Sequence, residues 1–342
     1  MNTKPLIAAA AVVGTLAASS PAEAAGHPIE SLSKANEWIN TPPLAPADLR
    51  GKVVLVDFWT YTCINWIRTL PYVSAWAAKY KEHGLVVVGV HSPEFEFEKD
   101  VLNVRPAAKA LGVDFPIAVD SRHAIWNAYN NQYWPAIYLV DAKGHIRHRQ
   151  FGEGNYEQVE KAIQELLTEA GRSDVPRGTV SVNPQGAEVA ADWETLRSPE
   201  NYLGFERTEK FASPGKVLFA QSREYASPAR LSLNEWALSG SWTMTSDAVV
   251  LQKPKGRIVY RFHARDVNLV MGADSAGAKF RVLVDGKAPT DAKGVDVDAE
   301  GMGVVREPRM YQLIRQSGQI VDRTVEIEFL DAGVRAYSFT FG

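Results

Sequence analysis

Hydrophobic positions change their period near residue 173. Between residues 28 and 172, apolar runs rich in β-branched residues alternate with stretches of helical spacing. Val53-Val54-Leu55-Val56, Leu85 to Val90 and Ala136 to Val140 each read as a strand buried on both faces. Helical stretches follow Cys63, run from Ser92 to Leu111, and close the unit from Tyr156 to Leu167. Ser92 suits a cap and Pro93 a first helical position. Glu94, Glu96 and Glu98 then lie near the positive end of the dipole, so this acidic run reads as a helix start rather than a metal site. The alternation predicts an α/β domain with a largely parallel core.

Helical spacing stops at residues 173–190, where Pro176, Gly178, Pro184 and Gly186 mark a linker. From residue 191 to 342 short runs rich in Val, Tyr, Phe and Thr recur between turn residues. They are Ile258 to Phe262, Asn268 to Met271, Phe280 to Val284, Thr324 to Leu330 and Tyr337 to Phe341. Such spacing predicts an antiparallel β-sandwich.

The first residues have a different logic. Lys4 precedes an apolar run from Leu6 to Ala18, and Ala22-Glu23-Ala24 supplies small residues at a cleavage site, so residues 1–24 read as a signal peptide cut after Ala24. The run is too short to cross about 30 Å of hydrocarbon comfortably. The mature protein is therefore expected in the periplasm or otherwise exported, without a membrane span, where disulfides can form. With 37 basic and 40 acidic residues in 342, the net charge of −3 provides no cationic field for nucleic acid. One cysteine, Cys63, excludes an internal disulfide and cysteine-based zinc sites. No cofactor or metal is implied.

Candidate chemistry is concentrated between Val53 and Pro71. A strand ends near Trp59 and a helix begins at about Cys63, so the thiol should face free backbone N–H groups and the positive dipole end, which lower a thiol pKa. Pro71 falls inside that helix and should kink it. Asp57, ending an apolar strand, is expected to be buried, with a raised pKa that suits proton transfer.

Asp57-Phe58-Trp59, Cys63 six residues after the aspartate, Pro71 eight residues after the cysteine, and Trp134-Pro135 opening a strand resemble the thioredoxin fold. The stretch from Gly51 to Asn65 and Gly89-Val90-His91-Ser92-Pro93-Glu94 are similar to the periplasmic TlpA-like and DipZ-type thiol-disulfide proteins. Tyr260 to Asp266 and Tyr311 to Arg315 resemble the carbohydrate-binding-module-like β-sandwich that follows the thioredoxin domain in DipZ-type proteins. The resemblance implies a cis-proline at Pro135, in a loop that faces the reactive cysteine and grips substrate. It places Trp134 and Pro135 as substrate-binding residues, Cys63 and Asp57 as catalytic, and Trp59, Thr60 and Trp66 as their neighbours. The family pattern is Cys-Ile-Asn-Cys, whereas Trp66 occupies the last position here. Attack of a second cysteine on a mixed disulfide is thus impossible within this chain. Asp57, whose proton traffic in the family serves mainly that second cysteine, is equally a buried residue kept by ancestry.

Three functions fit one thiol. In the first, a monothiol oxidoreductase or isomerase attacks disulfide-containing clients through Cys63 and is released by a client thiol or an external thiol donor. The second is a binding module without catalysis, with a sugar or protein ligand on the sandwich. Trp236, Trp242, Tyr202, Tyr311 and Tyr337 could then stack on sugar rings, although such aromatics are more often core. The third is a one-cysteine peroxidase, suggested by Thr60 three residues before Cys63 and by Arg122, against which Val56 stands where that family has proline. Asp296, Asp298, Glu300, Gly301 and Glu307 have EF-hand-like spacing but strand-like flanks, so a hairpin turn is expected. His91 reads as a packing or capping histidine.

Overall fold

The computed structural model describes residues 28–274 and 277–342, so the expected signal peptide lies outside the described residues. The N-terminal half contains strands β1 (Glu37–Ile39), β2 (Val53–Trp59), β3 (Leu85–His91), β4 (Ile117–Val119), β5 (Ala136–Val140) and β6 (Ile146–Phe151). Its helices are α1 (Pro46–Leu49), α2 (Ile64–Tyr80), α3 (Val101–Ala110), α4 (Ala124–Ala128) and α5 (Tyr156–Glu169). The strands form one sheet in the order β1-β4-β3-β2-β5-β6. Every residue of β2 is buried. Alternation along it sends Val53, Leu55 and Trp59 to a core shared with α2 and α5, and Val54, Val56 and Phe58 to the opposite core. Asp57 therefore points toward α2.

Two expectations need correction. The core is mixed rather than largely parallel: β2–β3 and β3–β4 are parallel, while β1, β5 and β6 pair antiparallel. At β5–β6 the cause is a tight turn, in which Asp141 accepts the N–H groups of Lys143 and His145, and a tight turn joins only antiparallel strands. The stretch from Ser92 to Leu111 is not one helix. A short 3₁₀ turn covers Glu96–Lys99, and α3 starts afresh at Val101 with Asp100 capping the Leu102 N–H at 2.9 Å. Ser92 is held instead beside the sheet, its N–H on Trp59 O and its hydroxyl on Asp120. Pro71 lies inside α2, which continues to Tyr80.

The C-terminal half is an antiparallel β-sandwich. Its strands are β7 (Asn201–Tyr202), β8 (Ser222–Tyr225), β9 (Trp236–Met244), β10 (Val249–Leu251), β11 (Gly256–Phe262), β12 (Asp266–Ala273), β13 (Ala278–Val284), β14 (Met302–Val305), β15 (Arg309–Arg315), β16 (Arg323–Phe329) and β17 (Val334–Phe341). The pairing is a continuous path, β14-β13-β16-β11-β9-β10-β17-β12-β15. Strand β9 joins the two layers, its first half pairing with β11 and its second with β10. At the changeover Gly240 has φ 92°, a left-handed conformation that favours glycine. Tyr260 on Phe339 and Phe341, and Phe280 on Tyr311, fill the space between layers.

The two halves share a core. Ala248, Val270, Met310 and Tyr337 of the sandwich belong to the cluster built on β2 and α2, and Tyr337 packs on Phe95 and Phe97 at 5.1 and 4.8 Å. The connecting segment is tied along the helices: Gly178 O accepts from Lys79 and Gln164, and the Val180 N–H donates to Glu160. Beneath this layer Arg68 of α2 reaches Glu153 at 3.1 Å and fully buried Asp266 of β12 at 3.9 Å. Asp266 also binds Arg265 and Arg315, each at 2.7 Å. Removing one partner of a buried ion pair leaves the other uncompensated. Asp266→Ala is therefore expected to lower the unfolding free energy by about 3 kcal/mol, read from urea denaturation.

Candidate functional site

Strand β2 ends at Trp59, and a turn in which the Cys63 N–H donates to Thr60 O brings the chain into α2. Cys63 is the N-cap residue, its carbonyl accepting the Ile67 N–H at 3.0 Å. The thiol is half-buried and opens on a cleft of about 50 Å³ between the two halves. Asn65 and Trp134 line it from the N-terminal domain, and Tyr202, Val270, Ser338 and Thr340 from the sandwich. The Trp134–Pro135 peptide is cis, as the resemblance implied.

The thiol does not have the lowered pKa expected from the sequence. Burial pushes Cys63 well above its ordinary value and the Glu94 and Glu200 carboxylates add to the effect, while the Trp66 and Asn65 N–H groups only partly offset it. The helix start does stabilise thiolate, but burial under the covering sheet outweighs it.

Asp57 and Trp66 form the floor of the site. The Trp66 indole N–H donates to Asp57 Oδ2 at 2.8 Å, and Asp57 Oδ1 has no hydrogen-bond partner among the described residues. Burial pushes the Asp57 carboxyl up to about 7, with the Trp66 hydrogen bond opposing. Trp66 stacks on Trp59 with ring centroids 4.1 Å apart. Gly89, opposite Asp57 on β3, makes this possible, because a Cβ there would come within 2.9 Å of the Trp59 ring nitrogen. Asp57 thus holds the indole through one oxygen and keeps the other unpaired among the described residues.

A second buried carboxyl was not legible in the sequence. Glu98 accepts from the Thr62 hydroxyl at 2.6 Å and from the N–H groups of Glu94 and Phe95 at 2.6 and 2.9 Å. Burial raises it to about 7. Its neighbour Glu94 turns to the sandwich, binding Tyr202 Oη and, at 3.2 Å, Arg207, whose guanidinium covers the Tyr202 ring at 3.5 Å. Nothing in the spacing of Glu94, Glu96 and Glu98 separates these roles, since Glu98 turns back onto its own loop and Thr62 while Glu94 meets a domain more than a hundred residues away.

Other candidate residues fall into place by contact. His91 is fully buried between Trp59 and Tyr61, its Nε2 lies 3.4 Å from Thr60 Oγ1, and burial lowers its pKa to about 3, so it packs as a neutral ring. Thr60 thus faces His91, and Arg122 is exposed, which leaves the peroxidase arrangement unassembled. Trp236, Trp242, Tyr311 and Tyr337 are buried, and Tyr202 is committed to Glu94 and Arg207, so the aromatics considered for sugar stacking are occupied. Asp296 pairs with Arg309 at 2.6 Å and Asp298 accepts the Met302 N–H, a turn leading into β14.

Both buried carboxyls stay protonated in the folded chain up to about 7 but have ordinary values of 3.8 and 4.5. The folded state therefore binds more protons in that interval, and on their account stability falls as pH rises through it. Urea midpoints should be higher at pH 5 than at pH 8, and Asp57→Asn should flatten the difference. Trp66→Phe, which removes the indole donor, should raise the Asp57 titration further, followed by carboxyl ¹³C shifts.

Comparison with known proteins agrees with this architecture. Residues 28–149 match the AhpC/TSA family and residues 198–342 match a thioredoxin-like C-terminal domain. The DipZ protein of Mycobacterium tuberculosis is 35% identical over 309 residues, which is 89% of this chain and 41% of that protein, so the chain spans about two-fifths of it. The thiol-disulfide oxidoreductase YkuV of Bacillus subtilis is 32% identical over 143 residues, 42% of this chain and 96% of its own length. A solved thioredoxin-like protein in the oxidized form is 33% identical, covering 39% of this chain and 90% of that one at a TM-score of 0.36. With a thioredoxin-fold domain presenting one cysteine at a helix start and a C-terminal domain of matching type, this chain belongs to the TlpA/DipZ-type family of thioredoxin-like proteins.

Proposed function

We propose that the protein is an exported thiol-disulfide oxidoreductase or isomerase that works through Cys63 alone. The observation that carries this reading is the position of the chain's one cysteine: an N-cap on α2, in a cleft shared with Trp134. Cys63 thiolate displaces one sulfur of a client disulfide, forming the Cys63–client disulfide and releasing the other client sulfur as thiolate. A second thiol, from the client or from a small external donor, attacks that bond and returns Cys63. No net redox change occurs when the resolving thiol is the client's own, which is isomerisation. Trp66 fills the place one turn on, so the mixed disulfide has no internal exit.

Asp57 holds Trp66 by its indole, and Trp134 and Pro135 are assigned to client contact. A second reading, a binding module without exchange, is favoured by one observation, the raised Cys63 thiol. The two readings part at the sulfur. Incubation of the full chain with an oxidised client should yield a disulfide-linked complex that persists until a small thiol is added, visible on non-reducing gels and absent with Cys63→Ser. Trp66→Cys should shorten its life by at least about tenfold, because an internal thiol can then attack. Failure of the parent chain to trap any client favours the binding module.

A further inference from the structure

The outer face of the C-terminal sheet, where it lies against α2, carries polar side chains that the fold leaves unpaired. Asn268 on β12 stands directly opposite Gln312 on β15 and Thr340 on β17. Their exposures are 0%, 1% and 6%. Both amide heteroatoms of Asn268, both of Gln312, and Thr340 Oγ1 lack a hydrogen-bond partner among the described residues.

Strand alternation fixes where the row points. Asp266 and Val270, two residues to either side of Asn268, meet Arg68 and the N-terminal core respectively. Met310, two residues before Gln312, joins the same core. The row therefore faces the thioredoxin-like domain, and Thr340 at its end shares the cleft with Cys63. Buried polar groups in native interiors are nearly always paired, so several orphaned together on adjoining strands ask for an explanation.

We propose that this row is the seat for the backbone of a client polypeptide beside its reacting cysteine. The inference rests on Cys63 being the exchange nucleophile. Each carboxamide offers one donor side and one acceptor side, as a peptide group does, so Asn268 and Gln312 can pair with an extended segment whatever its sequence. Three adjacent strands at about 4.8 Å spacing match roughly three residues of extended chain. Thr340 takes the peptide group nearest the sulfur. A sugar fits less well, because the row offers no aromatic face and Trp236 and Trp242 point into the sandwich core.

In the arrangement seen here the face is closed, with Arg68 of α2 on Asp266 and with Val270 and Met310 in the N-terminal core. A client enters as the sheet and α2 separate, and its peptide groups supply the hydrogen bonds that the closed interface lacks. Entry would also uncover Cys63, relieving the burial that raises its thiol.

The test uses the full chain carrying Cys63→Ser, so that no covalent step contributes. A short unstructured peptide with one central cysteine is titrated calorimetrically. Adding Asn268→Leu and Gln312→Leu together should weaken binding about tenfold or more. The thermal midpoint should not fall, since the groups removed have no partner. Thr340→Val, of the same shape, should give a smaller loss and keeps the test decisive if the double variant does not fold. Equal affinity in every variant, no peptide binding at all, or binding of a soluble oligosaccharide instead of the peptide overturns the proposal. As this protein has no thiol, the result is independent of the trapping experiment that decides the exchange reading.

Discussion

The packing of β12 and β17 over the start of α2 governs the chemistry of this protein. A helix start alone would favour thiolate at Cys63 through its free N–H groups. Covering it with Val270, Ser338 and Thr340 leaves Cys63 half-buried, and the desolvation of the charged form dominates. Nucleophilicity is thereby made a property of two domains together. The ion pairs of Arg68 with Glu153 and Asp266, and the Tyr337 contact with Phe95 and Phe97, hold the cover in place.

Behind the sulfur, one local substitution chemistry organises the rest. An indole at position 66 is large enough to stack on Trp59 and polar enough to meet Asp57, so a carboxyl that would otherwise be wholly unpaired keeps one donor. Gly89 provides the room. The site is consequently packed and specific in shape, with one oxygen of its buried carboxyl held by the indole and the other unpaired among the described residues.

Much of the framework could be read from the chain. The runs at Val53, Leu85 and Ala136 became β2, β3 and β5, and the five runs of the second half became β11, β12, β13, β16 and β17, because uninterrupted β-branched burial has few alternatives. The short strands β1 and β4, three residues each, hold too few positions to show a period, and β9, nine residues long, is broken by Gly240 where it changes partner. Between Ser92 and Leu111 the helical spacing yields to other contacts: Ser92 bonds across space to Asp120, and Glu98 bonds back onto its own loop. Cap-like residues satisfy whichever N–H group is nearest, and the nearest one was not in a helix.

By itself the sequence determined the fold class, the position of the lone cysteine at a strand-to-helix junction, and the impossibility of internal resolution, since each follows from local order and residue count. The tertiary structure decided the state of that cysteine, the partners of Asp57 and Glu98, and the unpaired row at Asn268, Gln312 and Thr340. These depend on desolvation and on contacts between residues distant in the chain, and burial by a remote domain leaves no trace in local pattern.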